Sequence, residues 1–412
     1  MGNGAGSRVI YMTEAFYWIW LQQALGIGSW KIDRVIEMEG QAKALYEMEK
    51  GQLEQTGFLT PEDIQKLKAV SLEPAKLLLE RAKKLGCSVV TPDHPDYPVY
   101  FLHIHCKPCV LYVLGELSVS CPLSITVVGT RQCTQYGRKA AQMISRDLAA
   151  AGCQVVSGLA MGIDQEAHEG ALSVHGRTVG FLACGMNVPY PDGSGPLKRR
   201  ILNEGGALAT EYPFDAPPKR NHFPLRNRLM SGISDGTVVI QAPERSGALI
   251  TAQSALDQGR DVFAVPGEIF DRTMKGCNRL IYQGCGVAVN GYSILESYLQ
   301  RLPQAQVAAM TRQVENAQLP EKTRSVPPAQ PKIKTPAPEL PGTARTTAAE
   351  ELQEVSESAR KVYSVLEEAP LDCDVIVDRC GLGIAAVVAA LTELELSSWI
   401  TAEPGRRYRR KK

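Results

Sequence analysis

The densest group of side chains suited to binding chemistry lies between Lys219 and Arg228. The stretch carries Lys219, Arg220, Asn221, His222, Phe223, Arg226, Asn227 and Arg228, which include four cations and one phenyl ring. Cations bind phosphates and aromatic rings stack on bases, so this combination is typical of surfaces for single-stranded nucleic acid. The alternative is a solvated loop with a buried Phe223, and the interleaved ring and the flanking prolines favour binding over it.

Three small-residue turns could bind anions beside this stretch. They are Gly129-Thr130-Arg131, Ser157-Gly158 and Ser246-Gly247, each next to the predicted start of a helix. Backbone N–H groups and the helix dipole favour an anion at such a position, and a guanidinium such as that of Arg131 can grip a phosphate with two N–H groups. The alternatives are a tight turn, close helix–strand packing and an ordinary helix cap.

Two other patterns concern metals and catalysis. His103, His105, Cys106 and Cys109 form a compact cluster, and a C-x-x-C pair can hold zinc or run redox chemistry. No second C-x-x-C follows, and the cluster leads directly into the apolar run Val110–Leu114, so we expect no metal. Dinucleotide, P-loop and nucleophile-elbow motifs are absent from the sequence, so we expect no cofactor and no catalytic residue.

Alternating strands and helices position these turns. The predicted strands of residues 87–302 are Ser124–Val128, Gln154–Ser157, Arg177–Ala183, Ala207–Glu211, Gly236–Gln241 and Asp261–Val265. Repeated βα units predict an α/β fold with a parallel sheet that helices cover on both faces. Ligands of such sheets bind at the carboxyl ends of the strands, which is where the turns lie. Asp164 is predicted to cap the helix that carries His168.

The flanking regions differ in character. Residues 1–86 read as a small all-helical domain, with Thr60 and Pro61 at a clear helix start. Residues 303–349 form a linker with eight prolines up to Pro341. Residues 350–412 predict a winged helix, with helices at 359–366, 375–380 and 384–396 and a strand pair at Trp399–Thr401 and Tyr408.

Charge and composition limit the possible functions. The 412 residues carry 45 basic and 44 acidic side chains, and this net charge of +1 excludes a generally cationic binder but allows a local basic site. Residues 350–405 carry 12 acidic and 3 basic side chains, so we expect the winged helix to contact protein, with the basic residues 406–412 as a separate arm. We expect no membrane span, because no apolar run is long enough. The 11 cysteines lack framework spacing, which favours the cytoplasm.

Taken in order, these motifs resemble those of one family, DprA, the DNA-processing protein A family that is also called Smf. The matching segments are Val128–Arg131, Tyr136-Gly137, Ser157–Asp164, His222–Arg228, Ser246–Thr251, Ala264–Gly267 and Gly276–Ile281. The resemblance extends over nearly the whole chain and includes a helical domain of sterile-alpha-motif (SAM) type and a C-terminal winged helix. Singly the motifs are unspecific, but together they are highly specific.

The resemblance implies an extended Rossmann fold without enzymatic activity. Such proteins bind and protect incoming single-stranded DNA, load a RecA-type recombinase during natural transformation, and form homodimers through the Rossmann domain. The implied DNA-binding residues are Gly129, Thr130, Arg131, Ser157, Gly158, Lys219, Arg220, Asn221, His222, Phe223, Arg226, Asn227, Ser246 and Gly247. Arg220 stands where relatives often carry Lys, which keeps the charge but changes the geometry of the contact.

Two other functions stay open at this point. The first is a nucleotide-hydrolysing enzyme of the lysine-decarboxylase-like (LOG) Rossmann group, which has similar glycine-rich turns and a Pro-Gly-Gly-x-Gly-Thr loop with a catalytic Glu. The corresponding residues here, Pro243–Ala248, lack that glycine pair, which weakens the enzyme hypothesis. The second is a scaffold whose winged helix recruits partners.

Overall fold

The computed structural model describes residues 4–38, 41–117, 121, 123–304, 307–308, 310, 356–366, 371–382, 387, 390–391, 393–394, 399–403 and 407–410. The chain divides into two compact units, Met1–Ser325 and Val326–Lys412. The predicted boundary at residue 86 therefore lies inside the first unit. Most of the predicted linker, residues 303–349, lies outside the described residues.

The first unit begins with helices. They are α1 (Gly4–Leu25), α2 (Lys31–Ile36), α3 (Gln41–Glu47), α4 (Lys50–Gln55), α5 (Pro61–Ala69) and α6 (Glu73–Lys84). The predicted start of α5 is confirmed: the Thr60 hydroxyl accepts the N–H of Asp63 at 3.2 Å, and the Asp63 carboxylate accepts the N–H of Thr60 at 2.7 Å. This reciprocal pair satisfies two N–H groups that a helix start otherwise leaves without a partner.

A sheet follows, with nine strands among the described residues. The strands are β1 (Ser88–Val90), β2 (Leu111–Gly115), β3 (Ser124–Val128), β4 (Gln154–Ser157), β5 (Thr178–Phe181), β6 (Ala207–Thr210), β7 (Gly236–Val239), β8 (Asp261–Ala264) and β9 (Gly286–Val287). Their order is β1-β2-β6-β5-β4-β3-β7-β8-β9, and the pairs from β6 to β9 are parallel. The predicted parallel sheet is confirmed, and four of the predicted strands end one or two residues earlier than expected.

The sequence did not predict strands β1, β2 and β9. Strands β1 and β2 add an antiparallel edge, because β2 pairs antiparallel with both β1 and β6. A short apolar run such as that of β2 does not by itself distinguish a strand from a buried helical segment. Strand β9 has only two residues and carries no readable period.

Helices cover the sheet. They are α7 (Gln135–Ala150), α8 (Ile163–Leu172), α9 (Gly195–Asn203), α10 (His222–Ile233), α11 (Gly247–Asp257), α12 (Lys275–Tyr282) and α13 (Gly291–Glu296). Strands β3 to β7 bury every residue, which requires cover on both faces. The strand order runs away from β3 in opposite directions through β4 and β7, so the topological switch point lies between β3 and β7.

The helical region and the sheet share side-chain contacts. The Asp33 carboxylate accepts the N–H groups of Cys106 and Lys107 at 2.9 and 2.7 Å, and Arg81 forms two hydrogen bonds with Asp215. The thiol of Cys109 donates to the carbonyl of Trp18, and its burial raises the pKa well above the usual value. This cysteine therefore serves packing.

Within the described ranges, no cluster of His, Cys, Asp or Glu is suited to a metal ion, and no helix has both the length and the apolar character of a membrane span.

The second unit contains α14 (Glu357–Val365), α15 (Cys373–Cys380), β10 (Leu371–Asp372), β11 (Ile400–Glu403) and β12 (Arg407–Arg410). The three strands form an antiparallel sheet in the order β10-β12-β11, which confirms the two predicted helices and the strand pair and adds β10. The predicted third helix, 384–396, lies partly outside the described residues.

The basic end of the chain is not the separate arm that the sequence suggested. Residues Arg407–Arg410 form the middle strand of this small sheet. The guanidinium of Arg410 donates to the carbonyl of Tyr363 at 2.8 Å and lies 4.6 Å from the centroid of that ring. In a strand, Tyr408 and Arg410 share one face and Arg407 and Arg409 the other, so a basic run of this kind is compatible with strand structure.

Candidate nucleic-acid interface

A cavity of about 480 Å³ lies at the switch point of the sheet, at the carboxyl ends of β3 and β7. The β3–α7 loop, helix α10 and the first turns of α11 form its walls. Eight of the predicted site residues line it, namely Gly129, Thr130, Arg131, Phe223, Arg226, Asn227, Ser246 and Gly247. The structure therefore brings three separate sequence motifs together around one space.

An arginine and an aromatic ring meet at this cavity. The guanidinium carbon of Arg131 lies 4.5 Å from the ring centroid of Phe223, which is a cation–π contact. The ring of Tyr190 meets Phe223 edge to face, with 5.8 Å between centroids. Arg131 is exposed and Phe223 is half-buried. A guanidinium, which is able to bind phosphate, and a ring, which is able to stack on a base, are thus adjacent.

The turn before Arg131 is held by backbone contacts. The N–H of Thr130 donates to the carbonyl of Gln241 at 2.8 Å, and the carbonyl of Thr130 accepts the N–H of Ile163 at 3.2 Å. A Cβ at Gly129 would lie 2.5 Å from a side-chain carbon of Ile163, so only glycine fits there. Gly162, at φ +81°, packs against the same turn.

The expected helix N-terminus does not face this turn. Helix α7 begins four residues after Arg131, at Gln135, and the Thr134 hydroxyl accepts the N–H of Gly137 at 3.3 Å. The side chain of Gln241 accepts the N–H of Thr134 at 2.9 Å. These contacts satisfy the N–H groups of Thr134 and Gly137, and the cationic group that the loop itself carries is the exposed side chain of Arg131.

The second predicted turn supports the site from inside. The Ser157 hydroxyl is fully buried and donates to the carbonyl of Val127 at 2.7 Å, while the carbonyl of Gly158 accepts from Arg226 at 2.6 Å. A Cβ at Gly158 would lie 2.3 Å from the Arg226 guanidinium. The polar groups of this turn are therefore used within the protein, which places the turn behind the cavity and not in its wall.

Asp164 is not the helix cap that the sequence predicted. The N-cap position of α8 is Gly162, and the Asp164 carboxylate instead accepts the backbone N–H groups of Gly158 and Ala160. Burial raises the pKa of Asp164 to about 6, and the charges of Arg226 and Arg131 oppose this rise. Asp164 lines the cavity together with Arg131, Arg226 and Arg245, so the cavity contains one acidic side chain besides its cations.

His168, on the same helix, is a packing residue. It is fully buried, and its Nδ1 lies 2.7 Å from the hydroxyl of Thr178. Burial lowers the pKa of His168 to about 3, so the ring is neutral at physiological pH. His168 is therefore part of the core of the first unit.

The cationic stretch splits in two at the start of helix α10. Lys219, Arg220 and Asn221 precede the helix and are exposed. The Arg220 side chain has no hydrogen bond or ion pair with another described residue. His222 stacks on Tyr212 with 4.0 Å between ring centroids, and its Nδ1 lies 3.2 Å from the carbonyl of Ala183.

The other two cations of the stretch are buried. The guanidinium of Arg226 donates to the carbonyls of Gly158 and Phe181, and its Nε donates to the side-chain oxygen of Asn227 at 3.1 Å. Arg228 forms an ion pair with buried Glu211, with both carboxylate oxygens at 2.8 Å from one nitrogen. The sequence predicted that all four cations of residues 219–228 belong to one binding surface, but the helix turns Arg226 and Arg228 into the protein.

Sequence reasoning missed Arg245 and Thr251 of the cavity wall. Arg245 is exposed beside Ser246, whose hydroxyl accepts the N–H of Ala248 at 3.3 Å as the cap of α11. Thr251 lies four residues after Gly247, so helical spacing places both on one face of α11. The four-residue spacing between Gly247 and Thr251 was the signal in the sequence that could have identified Thr251.

Comparisons with known proteins agree on one family. The family model described as DNA recombination-mediator protein A matches residues 88–299, and the DprA winged helix domain model matches residues 345–406. Protein Smf of Synechocystis is 32% identical over 414 residues, covering 97% of this chain and 99% of the relative. Protein Smf of Escherichia coli is 36% identical over 320 residues, covering 77% and 76% respectively.

A solved structure adds a match in the fold. The X-ray structure of DNA processing protein A from Streptococcus pneumoniae superimposes with a TM-score of 0.58 at 26% sequence identity. The match covers 68% of this chain and 97% of that chain.

Proposed function

Because this chain belongs to the DNA recombination-mediator protein A family, known as DprA or Smf, we propose that it binds single-stranded DNA at the cavity between β3 and β7. The observation that carries the proposal is the contact of the exposed Arg131 guanidinium with the Phe223 ring. Such a pair offers one group to a phosphate and one to a base, which is what sequence-tolerant binding of a single strand requires.

Exposed cations extend the site along the carboxyl edge of the sheet. Lys219 and Arg220 lie directly before the helix that carries Phe223, and Arg245 lines the cavity. None of the three forms an ion pair with another described residue. Their charges are therefore available to a phosphate backbone. Ser246 and Gly247 complete the proposed phosphate contacts, and Ser157 and Gly158 support the site from behind.

The proposal also includes the fate of the bound strand. We infer that the protein protects incoming single-stranded DNA and loads a RecA-type recombinase in natural transformation, without an enzymatic activity of its own. Against the nucleotide-hydrolysing alternative, the Glu244 side chain is exposed and is not among the residues that line the cavity. The scaffold function of the winged helix remains compatible with this proposal.

A homodimer through the Rossmann domain is part of the same proposal. Phe270 and Tyr282 expose 89% and 91% of their surface, and Val289 exposes 60%. Exposed apolar groups of this size near one edge of a sheet favour burial against a partner.

We place the protein in the cytoplasm, since the ten described cysteines are all unpaired.

Titration of labelled oligonucleotides tests the DNA-binding proposal. We expect the protein to prefer single-stranded over double-stranded DNA and to lose affinity as salt rises, because phosphate contacts release counterions. Arg220→Glu should weaken binding at least about tenfold, since it replaces an attraction to phosphate by a repulsion. Lys50→Glu, at an exposed cation of α4 in the helical region, is the matched control and should bind like the wild type. Equal affinity for single and double strands would refute the proposal.

A further inference from the structure

We propose that Gln241 is a positioning residue for Arg131: it fixes both ends of the short segment 131–133 and so holds the guanidinium beside Phe223 before DNA binds. Gln241 is fully buried and is not among the residues that line the cavity, so it acts through this segment and not by touching DNA. The inference rests on the proposed binding of single-stranded DNA and adds what keeps the Arg131 charge in place.

Two different groups of Gln241 hold the two ends of the segment. The backbone carbonyl of Gln241 accepts the N–H of Thr130, directly before Arg131, at 2.8 Å. The side-chain oxygen of Gln241 accepts the N–H of Thr134, directly after Cys133, at 2.9 Å. One residue of β7's carboxyl end therefore anchors both sides of the three residues that carry the cation, and its side chain provides one of the two anchors.

A second loop fixes the orientation of the Gln241 amide. The hydroxyl of Thr273, in the loop between β8 and α12, lies 2.7 Å from an Asp271 carboxylate oxygen and 2.6 Å from Gln241 Nε2. The hydroxyl has a single proton, which the carboxylate takes, so toward Gln241 the hydroxyl accepts and the amide nitrogen donates. The amide oxygen is then the end that faces the N–H of Thr134. Only an amide provides a donor for one loop and an acceptor for the other.

Packing leaves the amide no alternative position. The second N–H of Gln241 donates to the Thr134 hydroxyl at 3.0 Å, so every polar group of this side chain has a partner. Gly137 faces the amide in the first turn of α7, and a Cβ at that position would overlap the side-chain oxygen of Gln241. The segment is therefore ordered in advance, and DNA does not have to order it on binding.

Gln241→Met is the decisive variant, because it keeps the length of the side chain and removes both its donor and its acceptor. Affinity for a labelled single strand is measured by fluorescence anisotropy. We expect a loss of about 5- to 30-fold, which corresponds to ordering roughly one backbone residue on binding. In a protein that already carries Arg131→Gln, the same substitution should change affinity by less than about twofold, because the charge that Gln241 positions is gone.

Thr273→Val is a second variant that leaves Gln241 itself intact. It removes the acceptor for the amide nitrogen at a residue that is not among those lining the cavity. We expect a smaller loss of affinity than in Gln241→Met, and again only while Arg131 is present. If Gln241→Met does not fold, Thr273→Val provides the same comparison.

Thr178→Val is the matched control for a general loss of stability. The Thr178 hydroxyl is buried at the first residue of β5, donates to the carbonyl of Val155 at 2.8 Å and lies 2.7 Å from His168 Nδ1. Its removal should lower the melting temperature, since it leaves buried groups without a partner, and should not change DNA affinity.

The two proposals fail differently. A wild-type protein that does not bind single-stranded DNA overturns the proposed function. The positioning role alone is overturned if the wild type binds and Gln241→Met binds equally well, or loses the same factor with and without Arg131. An Arg131→Gln protein that binds like the wild type also overturns it, because no charge is then left to position.

Discussion

Arg131 and Phe223 should contribute to DNA binding in separable ways, although their side chains touch. Phe223→Leu removes the π-face and keeps an apolar side chain beside Tyr190, so the local fold should persist. Base stacking is worth roughly 1–3 kcal/mol, so affinity should fall about 5- to 150-fold. Since no phosphate contact is lost, the dependence of affinity on salt should stay as in the wild type.

Arg131→Gln removes the charge and should show the opposite pattern. For single strands, the slope of log affinity against log salt concentration changes by about 0.7 for each phosphate contact. The slope of Arg131→Gln should therefore be less steep than that of the wild type by about 0.7, and its loss of affinity should be largest at low salt.

Anisotropy titrations between about 50 and 200 mM salt measure both quantities. Lys50→Gln, at an exposed cation of α4, is the control and should leave affinity and slope unchanged. A changed slope in Phe223→Leu, or an unchanged slope in Arg131→Gln, would refute the division of roles between ring and guanidinium.

Two further predictions follow from buried charges. Because the pKa of Asp164 is raised to about 6, the carboxyl is mostly ionised at pH 7 and mostly neutral at pH 5, so DNA affinity should rise as the pH falls through 6. Asp164→Asn should remove that part of the pH dependence, and any rise that remains belongs to groups such as His222, whose pKa is lowered. Glu211→Gln leaves Arg228 buried without its carboxylate partner and should lower the free energy of unfolding by about 3–5 kcal/mol in urea titrations. A loss below about 1 kcal/mol would mean that water or another group satisfies Arg228.

Much of the fold could be predicted from the sequence because its signals are local. Runs such as Ser124–Val128 and the turns after them established the βα alternation and therefore the parallel sheet. The cap at Thr60 and Pro61 was equally local. Strand β2 was missed, since its short apolar run fits a strand or a buried helical segment and its pairing with β6 joins residues about 95 positions apart.

The candidate site was only partly predictable, because contacts between distant residues decide which of its side chains are buried. Arg131 and Phe223 were identified by residue type, and the structure places them in contact. Arg226 was assigned to the same cationic binding stretch as Arg220, although its guanidinium is buried and donates to backbone carbonyls. Asp164 was taken for a helix cap, because an acid near a helix start usually has that role.

The sequence by itself determined which chemical groups are present and which elements carry them. It specified cations, a ring and small-residue turns at the ends of predicted strands, and the side-chain period of each element sets the local structure. The tertiary structure alone decided which of these groups are available to a ligand. Folding buried the Arg226 charge in the wall of the cavity, left Arg220 exposed, and brought Thr251 into one cavity with Asn227. Availability depends on burial and on contacts between residues far apart in the chain, and neither is encoded in a local pattern.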